Sequence, residues 1–159
     1  MSRRAVFLDR DGVINASPPA GEYVRNWSEF AFLESIFDWV RLVNALDFLV
    51  IVVTNQRGIT LGQMTAGDVD DIHARMRTEF ARRGCRIDDV FVCPHAGGTC
   101  DCRKPLPGMV LAARDKWDID LAESLMIGDS DRDRDLAAAC GMRFLRAADG
   151  RFLGEGRIS

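Results

Sequence analysis

Three apolar runs in this chain each end on groups able to do chemistry. Asp9-Arg10-Asp11-Gly12 follows Ala5-Val6-Phe7-Leu8, and Thr54-Asn55-Gln56 follows Leu49-Val50-Ile51-Val52-Val53. Gly128-Asp129 follows Leu125-Met126-Ile127, with Asp133 further on, and Arg103-Lys104-Pro105 lies between the second and third sets. Clustered carboxylates repel one another unless a cation joins them, and oxygen ligands suit Mg²⁺. A metal, a lysine and a hydroxyl around a free carboxylate are the groups that phosphoryl transfer needs. Taken singly, each element has a plainer reading. Asp-Gly after a strand is ordinary turn chemistry. Asp131 and Asp135 read as a solvated helix start, where carboxylates favour the dipole.

A second constellation joins Cys93-Pro94-His95 to Cys100-Asp101-Cys102. Three sulfurs and one imidazole suit tetrahedral Zn²⁺ in a closed, structural site with no position left for water. Its expected task is mechanical: to fold a loop and hold Arg103 and Lys104, the next residues, in place. Cys85 and Cys140 read as packing residues. His73 stands alone on a helix, either solvated or packed. Trp27, Trp39 and Trp117 read as core or loop anchors rather than a base-stacking platform.

The apolar runs must be neighbouring strands if these groups are to meet. Leu49–Val53 is continuous and β-branched, which suits a strand covered on both faces of a parallel sheet. Val90–Val92 and Leu125–Ile127 read as further strands, and Phe144-Leu145 as a fifth. Helices alternate with them. Ser35 with Asp38 looks like a capping box, followed by a stripe of Ile36, Phe37, Val40, Val43 and Leu46. Thr65 with Asp68 repeats the signal, followed by Val69, Ile72, Met76 and Phe80, with Gly84 as a stop. Pro107 suits the first turn of a helix running to about Trp117, with Val110 and Ala113 inward. A short helix is expected over Leu136–Cys140, closed by Gly141. Residues 15–32 and the last ten residues read as loop. The expected fold is therefore α/β: an open, Rossmann-like, mostly parallel sheet with helices on both faces and a zinc-binding loop. In such folds ligands sit at the carboxyl ends of the strands, where the chemistry-bearing residues stand.

The set Asp-x-Asp-Gly, strand-ending Thr-Asn, Lys and Gly-Asp-x-x-x-Asp resembles the haloacid dehalogenase (HAD) superfamily of phosphatases, from about Ala5 to Leu145. The strings Asp9–Asn15, Thr54-Asn55-Gln56-x-Gly58-Ile59 and Cys93-Pro94-His95…Cys100-Asp101-Cys102-Arg103-Lys104-Pro105 look like one branch of it. That branch holds the D-glycero-D-manno-heptose 1,7-bisphosphate 7-phosphatases and the histidinol-phosphate phosphatases. Tyr23-Val24 and Pro107-Gly108-Met109 resemble the heptose enzymes, whereas Pro18-Pro19 and the short knuckle lean towards histidinol phosphate. The resemblance implies Asp9 as nucleophile, forming an aspartyl-phosphate, and Asp11 as acid and then base. It implies Mg²⁺ on Asp9, Asp129 and the backbone carbonyl of Asp11, and phosphate on Thr54 and Lys104. Asp133 would support the metal shell or anchor Lys104. Asn15, Asn55, Gln56 and Arg103 are expected to contact substrate. Arg103, then Arg57, is the expected partner of a second phosphate. The chain departs from the heptose pattern at Ser130, often lysine there, at Leu61, commonly basic, and at Glu34-Ser35, usually Pro-Gly.

The stretches between Asp11 and Thr54, and between Thr54 and Lys104, are used up by a loop, helices, a strand and the knuckle. No separate cap domain fits in either, so selectivity must come from residues 15–32 and the knuckle. The 159 residues fit one HAD-like domain spanning 1–159. A formal net charge of −3 offers no footprint for nucleic acid or an anionic membrane. No apolar run approaches the roughly 20 residues that span a bilayer. Asp9 follows Arg3-Arg4 too closely to leave room for an export leader. The expectation is a cytoplasmic protein, a monomer, acting on a small phosphorylated sugar or similar metabolite.

Overall fold

The computed structural model describes residues 2–148 and 151–153. Strands β1 (Ala5–Leu8), β2 (Leu49–Asn55), β3 (Asp89–Cys93), β4 (Leu125–Gly128), β5 (Arg143–Ala148) and β6 (Arg151–Leu153) form one sheet in the order β3-β2-β1-β4-β5-β6. All neighbours run parallel except β5 and β6, which pair antiparallel. Helices α1 (Ser35–Ala45), α2 (Ala66–Arg82), α3 (Gly108–Trp117) and α4 (Asp131–Ala139) connect the strands.

Alternation along the central strands builds two cores, because successive side chains point to opposite faces of a sheet. Val6, Leu8, Val50 and Val52 pack with Ile36, Phe37 and Val40 of α1 and Ile72, Met76 and Phe80 of α2. Ala5, Phe7, Leu49, Ile51 and Val53 pack with Val110 and Ala113 of α3 and Leu136 and Ala137 of α4. The sheet is thus covered by helices on both faces, and among the described residues no cap domain is inserted.

The Thr65 capping box forms as expected. Its hydroxyl accepts from the Asp68 N–H at 3.0 Å, and the Asp68 carboxylate accepts from the Thr65 N–H at 2.8 Å. The box expected at Ser35 does not form. Glu34 before it is already helical (φ −59°, ψ −27°), so Ser35 is the first residue of α1 and not its cap. Leu46, expected in the buried stripe, falls past the end of α1 and is exposed, because Asp47 at φ 65° turns the chain towards β2. Pro107 precedes the first turn of α3 instead of occupying it. Helix α4 begins five residues before the expected Leu136, because Ser130 caps it by accepting from the Asp133 N–H. The loop over residues 15–32 contains a 3-10 turn at Trp27–Glu29, and Asn15 bridges to Phe32. Of the last ten residues, expected as loop, Arg151–Leu153 form β6, and the others lie outside the described residues.

One charged side chain crosses the larger core. Arg10 has no exposed surface. Its Nη2 lies 2.8 Å from Asp11 Oδ1, its Nη1 lies 3.1 Å from His73 Nε2, and its Cζ stands 5.7 Å from the Phe30 ring centre. Arg has only donors, so His73 Nε2 must accept, which requires a neutral imidazole with its proton on Nδ1. Burial, and then the neighbouring Arg10 charge, push the His73 pKa down to about 3.

This has a consequence for acid stability. With the folded pKa near 3 and the unfolded one near 6.5, the unfolded chain binds more protons between those values. Stability from this residue is intact above pH 6.5 and is lost as the pH falls towards the folded value. His73→Gln keeps an acceptor for Arg10 but does not titrate. In urea unfolding at pH 7 and pH 4, the wild-type chain should lose up to about 3 kcal/mol more than the variant. Equal losses would show that His73 is not buried neutral.

Candidate active site

Register places the groups. Leu8 pairs with Val52 on one side and Ile127 on the other, and Asn55 pairs with Cys93, so four parallel strands end together. Asp9 continues the ladder, its N–H donating to the Ile127 carbonyl at 3.0 Å. Lys104 enters from the knuckle. Its backbone is clamped by Asn55, which accepts the Lys104 N–H at 2.9 Å and donates to its carbonyl at 3.3 Å. The Lys104 ammonium donates to Asp9 Oδ1 and to Asp133 Oδ1, both at 2.8 Å. Asp133, in the first turn of α4, takes a further bond from the Ser130 hydroxyl on Oδ2 at 3.0 Å. Two glycines make this crowding possible. A Cβ on Gly12, at φ +89°, would stand 2.0 Å from Asp129 Oδ2, and one on Gly128 would stand 2.2 Å from the Asp133 Cβ.

Burial pushes the Asp9 carboxyl well above the usual carboxylate range. Lys104 opposes this, while Asp133 and Asp129 reinforce it. Burial also raises Asp129. For Lys104, burial works against the charged form, but Asp9 and Asp133 outweigh it and raise its pKa. Oxygens of Asp9, Asp129 and Asp133 lie within 4.8 Å of one another. One ammonium does not balance three carboxylates in a half-buried site, and a hard dication would. Both Asp133 oxygens are engaged by Lys104 and Ser130, so Asp9 and Asp129 are the carboxylates with capacity to spare for Mg²⁺. The donor set fits that ion.

The Asp11 side chain turns away from this cluster. Its Oδ1 accepts from Arg10 and from Asn15 Nδ2 at 2.9 Å. Thr54 is buried, and its hydroxyl oxygen accepts from Gln56 Nε2 at 2.8 Å. A cleft of about 290 Å³ opens above, lined by Asp9, Asp11, Asn55, Lys104 and Asp129. Of the four expected substrate contacts, Asn55 and Arg103 line this cleft. Asn15 and Gln56 are instead buried beneath it and bonded to Asp11 and Thr54, because their amides satisfy polar groups under the floor. Sequence reading missed Arg10, whose place between two aspartates was the signal. It took Ser130 only as a departure from the heptose pattern and missed its Ser-x-x-Asp spacing, which marks a cap. It also missed Arg132, which joins Arg57 and Arg103 around the cleft.

Beside the cleft the knuckle closes. Sulfur and nitrogen atoms of Cys93, His95, Cys100 and Cys102 lie within 4.8 Å of one another. Cys93 Sγ is 3.7 Å from Cys100 Sγ and 3.6 Å from His95 Nδ1, and Cys102 Sγ is 3.4 Å from His95 Nδ1. Zn–S and Zn–N bonds of about 2.3 and 2.0 Å give tetrahedron edges of about 3.5–3.8 Å, so the set fits Zn²⁺. The Cys93–Cys102 edge is tighter, at 2.8 Å. Burial works against a thiolate at Cys100, but the backbone N–H groups of Cys102 and Arg103 outweigh it and hold its pKa at about 7.

Comparisons with known proteins identify relatives of the chain. Residues 101–155 match the HAD-hydrolase-like family model. The chain is 39% identical over 150 residues to the D-glycero-beta-D-manno-heptose-1,7-bisphosphate 7-phosphatase of Vibrio cholerae, covering 89% of this chain and 79% of that one. It is 41% identical over 130 residues to the D-glycero-alpha-D-manno-heptose-1,7-bisphosphate 7-phosphatase of Campylobacter jejuni, covering 82% and 73%. The crystal structure of the D,D-heptose 1,7-bisphosphate phosphatase from B. bronchiseptica, complexed with magnesium and phosphate, superposes with a TM-score of 0.85 at 34% identity, covering 93% and 83%. A carboxylate and a lysine paired at the strand ends, relatives of this similarity and a shared fold lead to one conclusion: the chain is a phosphatase and belongs to the heptose-1,7-bisphosphate 7-phosphatase family of HAD-like hydrolases.

Proposed function

We propose that this chain removes the 7-phosphate of D-glycero-D-manno-heptose 1,7-bisphosphate through an aspartyl-phosphate on Asp9. The observation that carries the reading is the buried Asp9–Lys104–Asp133 array beneath a cleft edged by Arg57, Arg103 and Arg132. Asp9 attacks phosphorus, and the bond from phosphorus to the substrate's C7 oxygen breaks. Asp11 gives its proton to that departing oxygen, then takes one from the water that attacks the acyl phosphate. Phosphate leaves and both carboxyls return to their starting states. Thr54 already accepts from Gln56, so its own hydrogen is available for a phosphoryl oxygen, and Lys104 supplies positive charge beside Asp9. Mg²⁺, held by Asp9, Asp129 and the backbone carbonyl of Asp11, supplies charge neutralisation for the transferring group when bound.

The arginines favour a second anionic group on the substrate and disfavour the cationic amino alcohol of histidinol phosphate. Zn²⁺ on Cys93, His95, Cys100 and Cys102 is structural in this reading, fixing the segment that delivers Arg103 and Lys104. The working unit is a single domain spanning residues 1–159, a monomer acting in the cytoplasm. Among the described residues no helix is long and apolar enough to cross a membrane.

Asp9→Asn should lower phosphate release by about 10⁴-fold or more while leaving the circular dichroism spectrum intact. Retained turnover would end the proposed mechanism. In a phosphate-release screen, both anomers of the heptose bisphosphate should outrun histidinol phosphate. Arg103→Ala should raise KM for the bisphosphate by about tenfold or more, the cost of a lost charged hydrogen bond. Metal analysis of purified protein should find about one zinc per chain, absent from a Cys100→Ser/Cys102→Ser double variant.

A further inference from the structure

Asp11 is gripped on one oxygen and left almost free on the other. Oδ1 accepts Arg10 Nε at 3.1 Å, Arg10 Nη2 at 2.8 Å and Asn15 Nδ2 at 2.9 Å. Oδ2 has Gln56 Nε2 at 3.4 Å, near the outer limit of a hydrogen bond, and that amide makes its nearer contact with Thr54 at 2.8 Å. An oxygen already accepting three N–H donors has no room for a proton of its own, so a protonated Asp11 carries its hydrogen on Oδ2. The Asn15 amide cannot be turned round, since that would set its oxygen against the carboxylate. In the orientation it keeps, Asn15 Oδ1 is buried with no partner among the described residues. An unsatisfied buried acceptor costs stability, and here it accompanies a third donor on Asp11 Oδ1.

Arg10 supplies two of those three donors and is fixed in turn. Its Nη1 donates to His73 Nε2 at 3.1 Å, and Phe30 covers the guanidinium. Arg10 and His73 are both buried and line no part of the cleft, so neither reaches a bound substrate. A buried ion pair is weak evidence of stabilisation, because desolvation offsets much of the attraction. What it does supply is direction. The geometry points to Arg10 and His73 as positioning residues for the reaction: Arg10 pins Asp11 Oδ1 so that Oδ2 is the oxygen presented to the leaving group, and His73, from the middle of α2, pins Arg10. The inference rests on the reading of Asp11 as the acid.

A residue that positions a general acid matters most when the leaving group is a poor one. Loss of proton donation should slow release of an alkoxide far more than release of 4-nitrophenolate. The measured quantity is kcat/KM, which covers the steps up to departure of the leaving group and excludes breakdown of the aspartyl-phosphate. His73→Leu removes the acceptor for Arg10, and His73→Gln keeps it. His73→Leu should lower kcat/KM for the heptose bisphosphate by about tenfold, a fraction of what a general acid contributes, and change that for 4-nitrophenyl phosphate by less than about twofold. His73→Gln should restore the wild-type ratio. If the leucine variant does not fold, Arg10→Lys carries the same test, since an ammonium keeps the charge but lacks the two-pronged hold on Oδ1. Equal losses on both substrates, or a glutamine variant as impaired as the leucine one, would overturn the inference. Asp11→Asn separates the two levels of the argument. If it too affects both substrates alike, the acid reading of Asp11 fails. If it discriminates between them and the His73 and Arg10 variants do not, only the positioning role fails.

Discussion

Everything in the site is arranged around one ammonium group. Lys104 is buried, and its charge is shared between Asp9 from the end of β1 and Asp133 from the start of α4. Removing such an ion from water is costly unless it is paired, and breaking a buried pair by deleting one partner leaves an uncompensated charge. The lysine therefore constrains three elements at once. It needs β1 and α4 side by side, and it needs the knuckle to lie across the end of β2. The Asn55 clamp on its backbone supplies that last condition.

The fold leaves little freedom in meeting these demands. The tips of β1 and β4 are close enough that Gly12 and Gly128 face carboxylate atoms where any other residue would place a Cβ. Four acidic side chains then crowd a small volume, and the chain separates them by partner. Asp133 is bonded to Lys104 and Ser130, and Asp11 is turned to Arg10 and Asn15. Asp9 and Asp129 line the cleft. Asp133 is thus held on both oxygens and Asp11 on one, while Asp9 and Asp129 are the pair placed to share a cation.

Most of the fold was legible in the sequence because its signals are local. The β-branched run at Leu49–Val53, the Thr65–Asp68 box and the 3.6-residue stripe of α2 each say what they form without knowledge of the rest. The strand-end residues were legible too, since a parallel sheet assigns ligands to one edge. The expectations that failed depended on backbone angles set elsewhere. Ser35 has a capping partner at the right spacing, but the chain is already helical at Glu34. Strand β6 is three residues of ordinary composition and exists only because β5 offers an edge. The Arg10–His73 contact joins positions far apart in sequence, and nothing near either residue announces it. Likewise, the bond from Lys104 to Asp133, one of the two roles open to that residue, needed coordinates to be seen.

The arginine-edged cleft has a bearing on how the enzyme would meet its surroundings. Arg57 and Arg132 are exposed, and among the described residues no inserted domain folds over them. A ligand gathered by solvent-facing guanidinium groups stays within reach of dissolved ions, so its hold tightens in dilute buffer and slackens in brine. Among the described residues no inserted domain has to swing aside before inorganic phosphate departs.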